Sequence, residues 1–249
     1  MTSQRAPERG PTEPGASASH ARRRSAGAAW LRETAIILVS AFVLSFLVKT
    51  FLVQAFFIPS ESMEDTLVRG DRVLVSKLTP GPFDLHRGDI VVFKDPGSWL
   101  GSTADQDQSA LGEVLSDALT WVGLLPQDAG QHLIKRLIGL PGDRVACEGA
   151  GSPLTVNGVA IDEPYLAEGA TPCDADRPFD TVVPAGHVWV MGDNRQDSAD
   201  SRWHMGDPGG GAVPMDNIVG LTFVKVWPLD RAGALRNPSD TFAEVPDPS

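Results

Sequence analysis

The sequence predicts a mainly β, antiparallel body preceded by one N-terminal apolar helix, and three observations carry that reading. Five aliphatic and β-branched runs, at 70–78, 87–94, 132–140, 187–192 and 218–227, are bounded by Gly, Pro and Asp. Twenty-five glycines and twenty prolines among 249 residues favour strands and turns over a helical bundle. One stretch, AIILVSAFVLSFLV at 35–48, carries no charge. No βαβ alternation and no periodic repeat is visible, so a parallel sheet is excluded.

Hydrophobic residues at 42% and charged residues at 21% fit a chain with a real core. A net charge of −11 argues against a nucleic-acid partner. Two cysteines exclude a disulfide scaffold and a four-cysteine zinc site but permit one bridge.

The first segment, 1–32, is rich in Ala, Ser, Gly and Pro, has few large apolar residues, and reads as a disordered tail. The apolar run then extends to 33–53 if Lys49 snorkels, which reaches the roughly 20 residues a bilayer needs. A retained membrane anchor is the expectation. A buried core helix is the second reading, opposed by apolar residues on every face. A cleaved leader is the third, with Val53-Gln54-Ala55 as its small-residue site, opposed by the long preceding segment and Lys49. Arg22, Arg23 and Arg24 ahead of the span predict a cytoplasmic N-terminus and an extracytoplasmic remainder.

Beyond the span, Leu154 to Ile161 carries a hairpin signal, because Asn157-Gly158 suits a type I′ turn. Residues 97–131 break the strand pattern. Leu111, Val114, Leu115, Ala118 and Val122 recur at helical spacing, which predicts an inserted amphipathic helix. That helix packs on the body or rests on a membrane surface. Residues 236–249 hold Pro, Ser and Asp without an apolar run and read as a second disordered tail.

The five histidines show no HExxH or paired-ligand spacing, and there is no CxxC, so neither a metal nor a cofactor is expected. No GxSxG elbow or SxxK motif occurs either. Ser60 and Ser62 alternate in an extended, Pro-led segment, so both point to one side. A serine needs a base to become a nucleophile. Lys135, flanked by large aliphatics, supplies one if burial strips its proton near neutral pH. The residues leave open the plainer reading, a lysine that reaches out to solvent.

Six ordered blocks then carry a resemblance. They are Ile58-Pro59-Ser60-Glu61-Ser62-Met63, Gly70–Val75, Arg87–Phe93, Ile134–Asp143, Val183–His187 and Met191–Arg202. Together they resemble the bacterial type I signal peptidases, membrane-anchored leader peptidases. The resemblance implies a signal-peptidase-like antiparallel β catalytic domain at 54–235, with a smaller β subdomain at 144–183. It implies Ser62 as nucleophile, Lys135 as general base, and Ser198 as the hydroxyl that orients the lysine. Ser60, with the Ser62 backbone N–H, would form the oxyanion hole. Phe56, Ile58, Met63, Leu67, Val92 and Ile134 would build shallow pockets for small residues at the third and first positions before the cut. Arg136, Asp193, Asn194, Asp200 and Arg202 would be structural support, with Asp193–Arg136 and Asp200–Arg202 as ion pairs. The implied partners are preproteins bearing signal peptides and the lipid bilayer.

The chain departs from that pattern at Asp65, where the family often has Pro or Asn, and in the 97–131 insertion. An extracytoplasmic body also makes Cys147–Cys173 a candidate disulfide, since bridges persist in that compartment and the Asn157-Gly158 turn brings the chain back. Two buried free thiols are the alternative.

Overall fold

The computed structural model describes residues 18–97, 99–100, 132–174 and 177–248, with side chains from residue 29 onward. Contacts divide the chain into two units, Met1–Phe46 and Leu47–Ser249.

The first unit is dominated by a single helix. Helix α1 runs Ala18–Phe51, so the segment 18–32, expected to be disordered, is helical. Ala and Arg, both strong helix formers, fill more than half of 18–33, and a helix nucleated by the apolar run extends backwards at little cost. Within it, the 23 residues Ala29–Phe51 contain an 18-residue window with a mean hydropathy of 2.1 and no buried share. At 1.5 Å per residue they measure about 35 Å, enough for a hydrocarbon core of about 30 Å. Ile36, Ile37, Leu38, Val39 and Phe42 are all exposed, so the apolar surface runs around the whole helix instead of one stripe. By length and composition this helix is able to cross a membrane.

The second unit holds two antiparallel sheets. Strands β1 (Val53–Phe57), β2 (Arg72–Ser76), β3 (Ile90–Lys94), β4 (His132–Gly139), β9 (His187–Met191), β10 (Val213–Pro214), β11 (Ile218–Trp227) and β12 (Gly233–Ala234) form the larger. Its order is β1-β2-β11-β3-β4-β9-β10, with β12 also pairing β11. Strand β11 has ten residues and serves β3 at Ile218–Leu221 and β12 at Val224–Lys225. The smaller sheet, in the order β7-β6-β5-β8, joins β5 (Arg144–Cys147), β6 (Thr155–Val156), β7 (Val159–Ala160) and β8 (Phe179–Val182). Asn157 at φ 52° and Gly158 at φ 81° make the expected β6–β7 turn, with positive φ at both centres. The amphipathic helix expected at 111–122 lies outside the described residues.

Strand β3 is buried on both faces. Ile90 and Val92 enter one apolar cluster, Val91 and Phe93 another, which is why it reads as a continuous aliphatic run. A third cluster joins the sheets through Ile138, Val145, Val156, Phe179, Trp189 and Met191. Cys147 and Cys173 are bonded inside it, with their Cα atoms 5.8 Å apart.

The C-terminal stretch corrects the second disordered-tail expectation. Phe242 and Val245, 7% and 8% exposed, belong to the same cluster as the disulfide. Asn237 Nδ2 donates to the Arg87 carbonyl at 3.0 Å, and Arg87 Nη2 donates to the Pro246 carbonyl at 3.2 Å. Two apolar anchors three residues apart form no run a pattern could register, yet each fills a place in the core.

Truncating Phe242 to Ala should therefore cost about 3 kcal/mol in urea unfolding, where a disordered tail would cost nothing. Replacing Cys147 and Cys173 by Ala removes a 26-residue closure. Calorimetry should then find stability lower by about 3 kcal/mol in the chain-entropy account, or about 6–12 °C in Tm. An unchanged Tm would mean that the bridge adds nothing to stability.

Candidate active site

Ser62 sits on the tight turn that follows β1. The Ile58 N–H donates to Asp71 O at 2.9 Å and Gly70 N–H to Ile58 O at 2.8 Å, closing the turn at its base. Leu67 N–H donates to Met63 O at 2.6 Å inside it. Met63 and Leu67 are fully buried, so apolar burial fixes the turn from below while Ser60 stays exposed. Ser60 Oγ lies 3.3 Å from Ser62 Oγ, so the entry into the turn brings both hydroxyls to one point.

Lys135 reaches the same point from β4. That strand is central, paired with β3 at Val91↔Lys135 and with β9 at Arg136↔Met191. Lys135 Nζ lies 2.5 Å from Ser62 Oγ, and both residues are 4% exposed. Burial is the main cause that lowers the Lys135 pKa from 10.5 to about 8; Asp200 and Asp193 pull the other way, and Arg202 adds to the lowering.

The turn that follows β9 completes the arrangement. Asn194 N–H donates to the Ser62 carbonyl at 3.1 Å, and Asn194 Nδ2 donates to Glu61 O at 3.3 Å. Gly192 permits this close approach, because a Cβ there would lie 2.6 Å from Ser198 Cβ and collide with the Ser62 carbonyl. Arg136 pairs with Asp193 through Nε–Oδ1 at 2.7 Å and Nη2–Oδ2 at 2.5 Å. Asp200 receives Arg202 Nε and Nη2 at 2.8 Å each, and the Gly192 N–H at 3.0 Å. Burial alone would raise the Asp200 pKa, but the Arg202 hydrogen bonds outweigh it and hold the carboxyl below its usual range.

Ser62, Lys135 and Ser60 are thus brought together. Ser198 is 2% exposed beside Gly192, but its hydroxyl has no hydrogen-bond partner among the described residues. The lysine amine is directed to Ser62 instead. Phe56, Ile58, Met63, Leu67, Val92 and Ile134 share one cluster with Val73, Val75 and Ile90, all less than a tenth exposed. They form a closed apolar floor, not open pockets. No group of three or more metal-binding side chains occurs among the described residues.

Sequence reasoning assigned no role to Glu163, Tyr165 and Arg195. Arg195 and Glu163 form a fully buried ion pair, with Nη1–Oε2 at 3.0 Å. Arg195 lies inside a block that carried the resemblance, which was its one available signal. Glu163 lies in a polar loop that offered none.

Comparison with known proteins identifies the family. The model of the signal peptidase family, peptidase S26, matches residues 31–227. Signal peptidase I of Mycobacterium tuberculosis is 38% identical over 232 residues, covering 86% of this chain and 78% of that protein. The probable signal peptidase I of Mycobacterium leprae is 38% identical over 243 residues, covering 87% and 82% respectively. Signal peptidase I P of Bacillus subtilis subsp. natto is 34% identical over 197 residues, covering 77% and 86%. With a family match spanning most of the sequence and relatives this similar along most of both chains, the protein belongs to the signal peptidase family, peptidase S26, and is a peptidase.

Proposed function

We propose that this chain is a membrane-anchored serine endopeptidase that removes N-terminal signal peptides from exported preproteins through a Ser62–Lys135 pair. The observation that carries the reading is the 2.5 Å contact between Nζ and Oγ, made where the amine is desolvated. Neutral Lys135 takes the Ser62 proton as Oγ bonds to the scissile carbonyl carbon. The oxyanion that forms is met by the Ser62 N–H and the Ser60 hydroxyl. As the tetrahedral species collapses, the Lys135 ammonium returns its proton to the leaving amine and the mature protein departs. Water, deprotonated by the same amine, then attacks the acyl-enzyme, frees the signal peptide and restores Ser62. Ser198, buried beside Gly192, serves as the hydroxyl available to the amine once Ser62 has given up its proton.

Specificity for small residues at the −3 and −1 positions follows from the closed floor under Ser62. Phe56, Ile58, Met63, Leu67, Val92 and Ile134 already pack against one another, and a closed floor of this kind disfavours large substrate side chains. The substrate lies in extended form across this floor, with its main chain held and its small side chains pointing down. Arg136, Asp193, Asn194, Asp200 and Arg202 hold the two catalytic segments in register. The anchor is α1, with Arg22, Arg23 and Arg24 on the cytoplasmic side and 54–235 as the extracytoplasmic catalytic domain.

Cleavage of a preprotein in detergent tests the pair directly. Ser62→Ala and Lys135→Ala should each lower kcat by about 10⁴-fold or more, because residues acting as a unit fail together. Lys135→Arg should fail equally, since a guanidinium keeps its proton. Appreciable turnover by a folded Lys135→Arg variant would remove the lysine-base mechanism.

The pH dependence has a defined sign. The neutral amine is the active form, so kcat/KM should rise through an apparent pKa of about 8. At pH 6 it should be about a hundredth of its alkaline plateau. Stability moves the same way, because the folded pKa lies below the unfolded 10.5. Between those two values the unfolded chain binds more protons, so the wild type gains stability relative to Lys135→Met as pH rises through about 8. A flat rate profile from pH 6 to 9.5 would contradict the assignment.

A further inference from the structure

The loop 163–168, which follows β7, touches a neighbour of each residue of the site. Tyr165 lies against Arg136, its ring centroid 3.9 Å from the guanidinium carbon, and Arg136 is the residue after Lys135. The Tyr165 hydroxyl donates to Glu163 Oε1 at 2.8 Å. Glu163 in turn pairs with Arg195, three residues before Ser198, and Arg195 donates to the Gly192 carbonyl at 3.0 Å. Ala167 N–H donates to the Asp193 carbonyl at 3.1 Å. Glu168 N–H donates to Asp65 Oδ2 at 2.6 Å, three residues after Ser62. Asp65 stands at φ 70°, a left-handed conformation that Asp and Asn tolerate better than most residues. Covering an apolar core requires none of these polar ties, and they reach three segments far apart in sequence.

We propose that the 163–168 loop is a positioning clamp for the Ser62–Lys135 pair, acting on β4 through Tyr165 and on the nucleophile turn through Asp65. The inference rests on the Ser–Lys reading above. Tyr165 gives the Arg136 guanidinium a flat face to lie on, and so keeps it in its bidentate pair with Asp193. Tyr165 itself exchanges no proton: burial, reinforced by Glu163, pushes its hydroxyl well above 10, so it stays a donor. Without the ring, Arg136 is freer to leave Asp193. Asp193 already raises the Lys135 pKa, and a less neutralised carboxylate raises it further. On the other side, Asp65 fixes the turn that carries Ser62, where a misplacement of about 1 Å can cost about a hundredfold in rate.

The test measures kcat, KM and the pH profile of the whole chain in detergent on a preprotein substrate, for Tyr165→Leu, Tyr165→Phe, Asp65→Ala and Asp65→Asn. Tyr165→Leu and Asp65→Ala should lower kcat about tenfold or more with KM within about twofold, the mark of lost transition-state geometry. The Tyr165→Leu profile should also move to alkaline pH. Tyr165→Phe keeps the ring, and Asp65→Asn keeps both an acceptor and tolerance of positive φ, so each should stay within about threefold of wild type. Wild-type kcat and pH profile in folded Tyr165→Leu or Asp65→Ala would overturn the clamp, as would equal losses in Asp65→Asn and Asp65→Ala. If Tyr165→Leu fails to fold, the exposed Asp65 pair decides the matter. Ser62→Ala run alongside separates the two readings: an active Ser62→Ala refutes the Ser–Lys pair, whereas an inactive one with fully active clamp variants refutes the clamp alone.

Discussion

Holding the Lys135 amine out of water is the constraint around which the candidate site is arranged. In the proposed Ser–Lys mechanism Lys135 is worth little as a base at 10.5 and useful at about 8, and burial supplies that difference. The surroundings have to protect it. An unpaired carboxylate within about 4–6 Å raises such a pKa by about 1–3 units, enough to cancel the effect of burial. Asp193 and Asp200 are the carboxylates that pull most on this amine, and each is already bound bidentately by its own arginine. Neutralising those charges is therefore a requirement of the proposed chemistry as well as of the fold.

The buried ion pairs are better understood as alignment than as net stability. Arg136–Asp193, Arg202–Asp200 and Arg195–Glu163 are all almost completely removed from solvent. Pairs of this kind often contribute no more than well-packed apolar residues would, but breaking one partner costs about 3–5 kcal/mol. What they add is direction. Arg136 ties β4 to the turn after β9, Arg202 ties that turn to its own far end through the Arg195 carbonyl, and Glu163 brings in the loop after β7. The apolar clusters cannot do this, because dispersion and hydrophobic burial fix volume and not angle. Ser62 and Lys135 come from separate segments, so their 2.5 Å approach depends on these directional contacts.

Much of this was written locally in the chain. Continuous aliphatic and β-branched runs gave the central strands, Asn157-Gly158 gave the hairpin, and the uncharged run gave the apolar helix, since each depends on neighbours a few residues away. The blocks around Ser62, Lys135 and Asp193 marked the family, and with it the main-chain architecture. The helix boundary escaped because residues 18–32 look like a polar tail by composition while their helix propensity is high. Phe242 and Val245 escaped because two isolated apolar residues make no pattern until a core is there to receive them.

The sequence by itself determined which segments become strands, where the apolar helix lies and which family the blocks resemble. Only the tertiary structure decided that Lys135 is buried against the Ser62 turn instead of reaching solvent, since the same aliphatic neighbours are compatible with either outcome. It also decided that Glu163 meets Arg195 and that Glu168 meets Asp65, pairs 32 and 103 residues apart along the chain. Patterning acts over a few residues because side-chain periodicity is a property of the local backbone. Long-range polar pairs depend on the path of the whole chain, and the desolvation that sets a pKa depends on everything that path packs around the group.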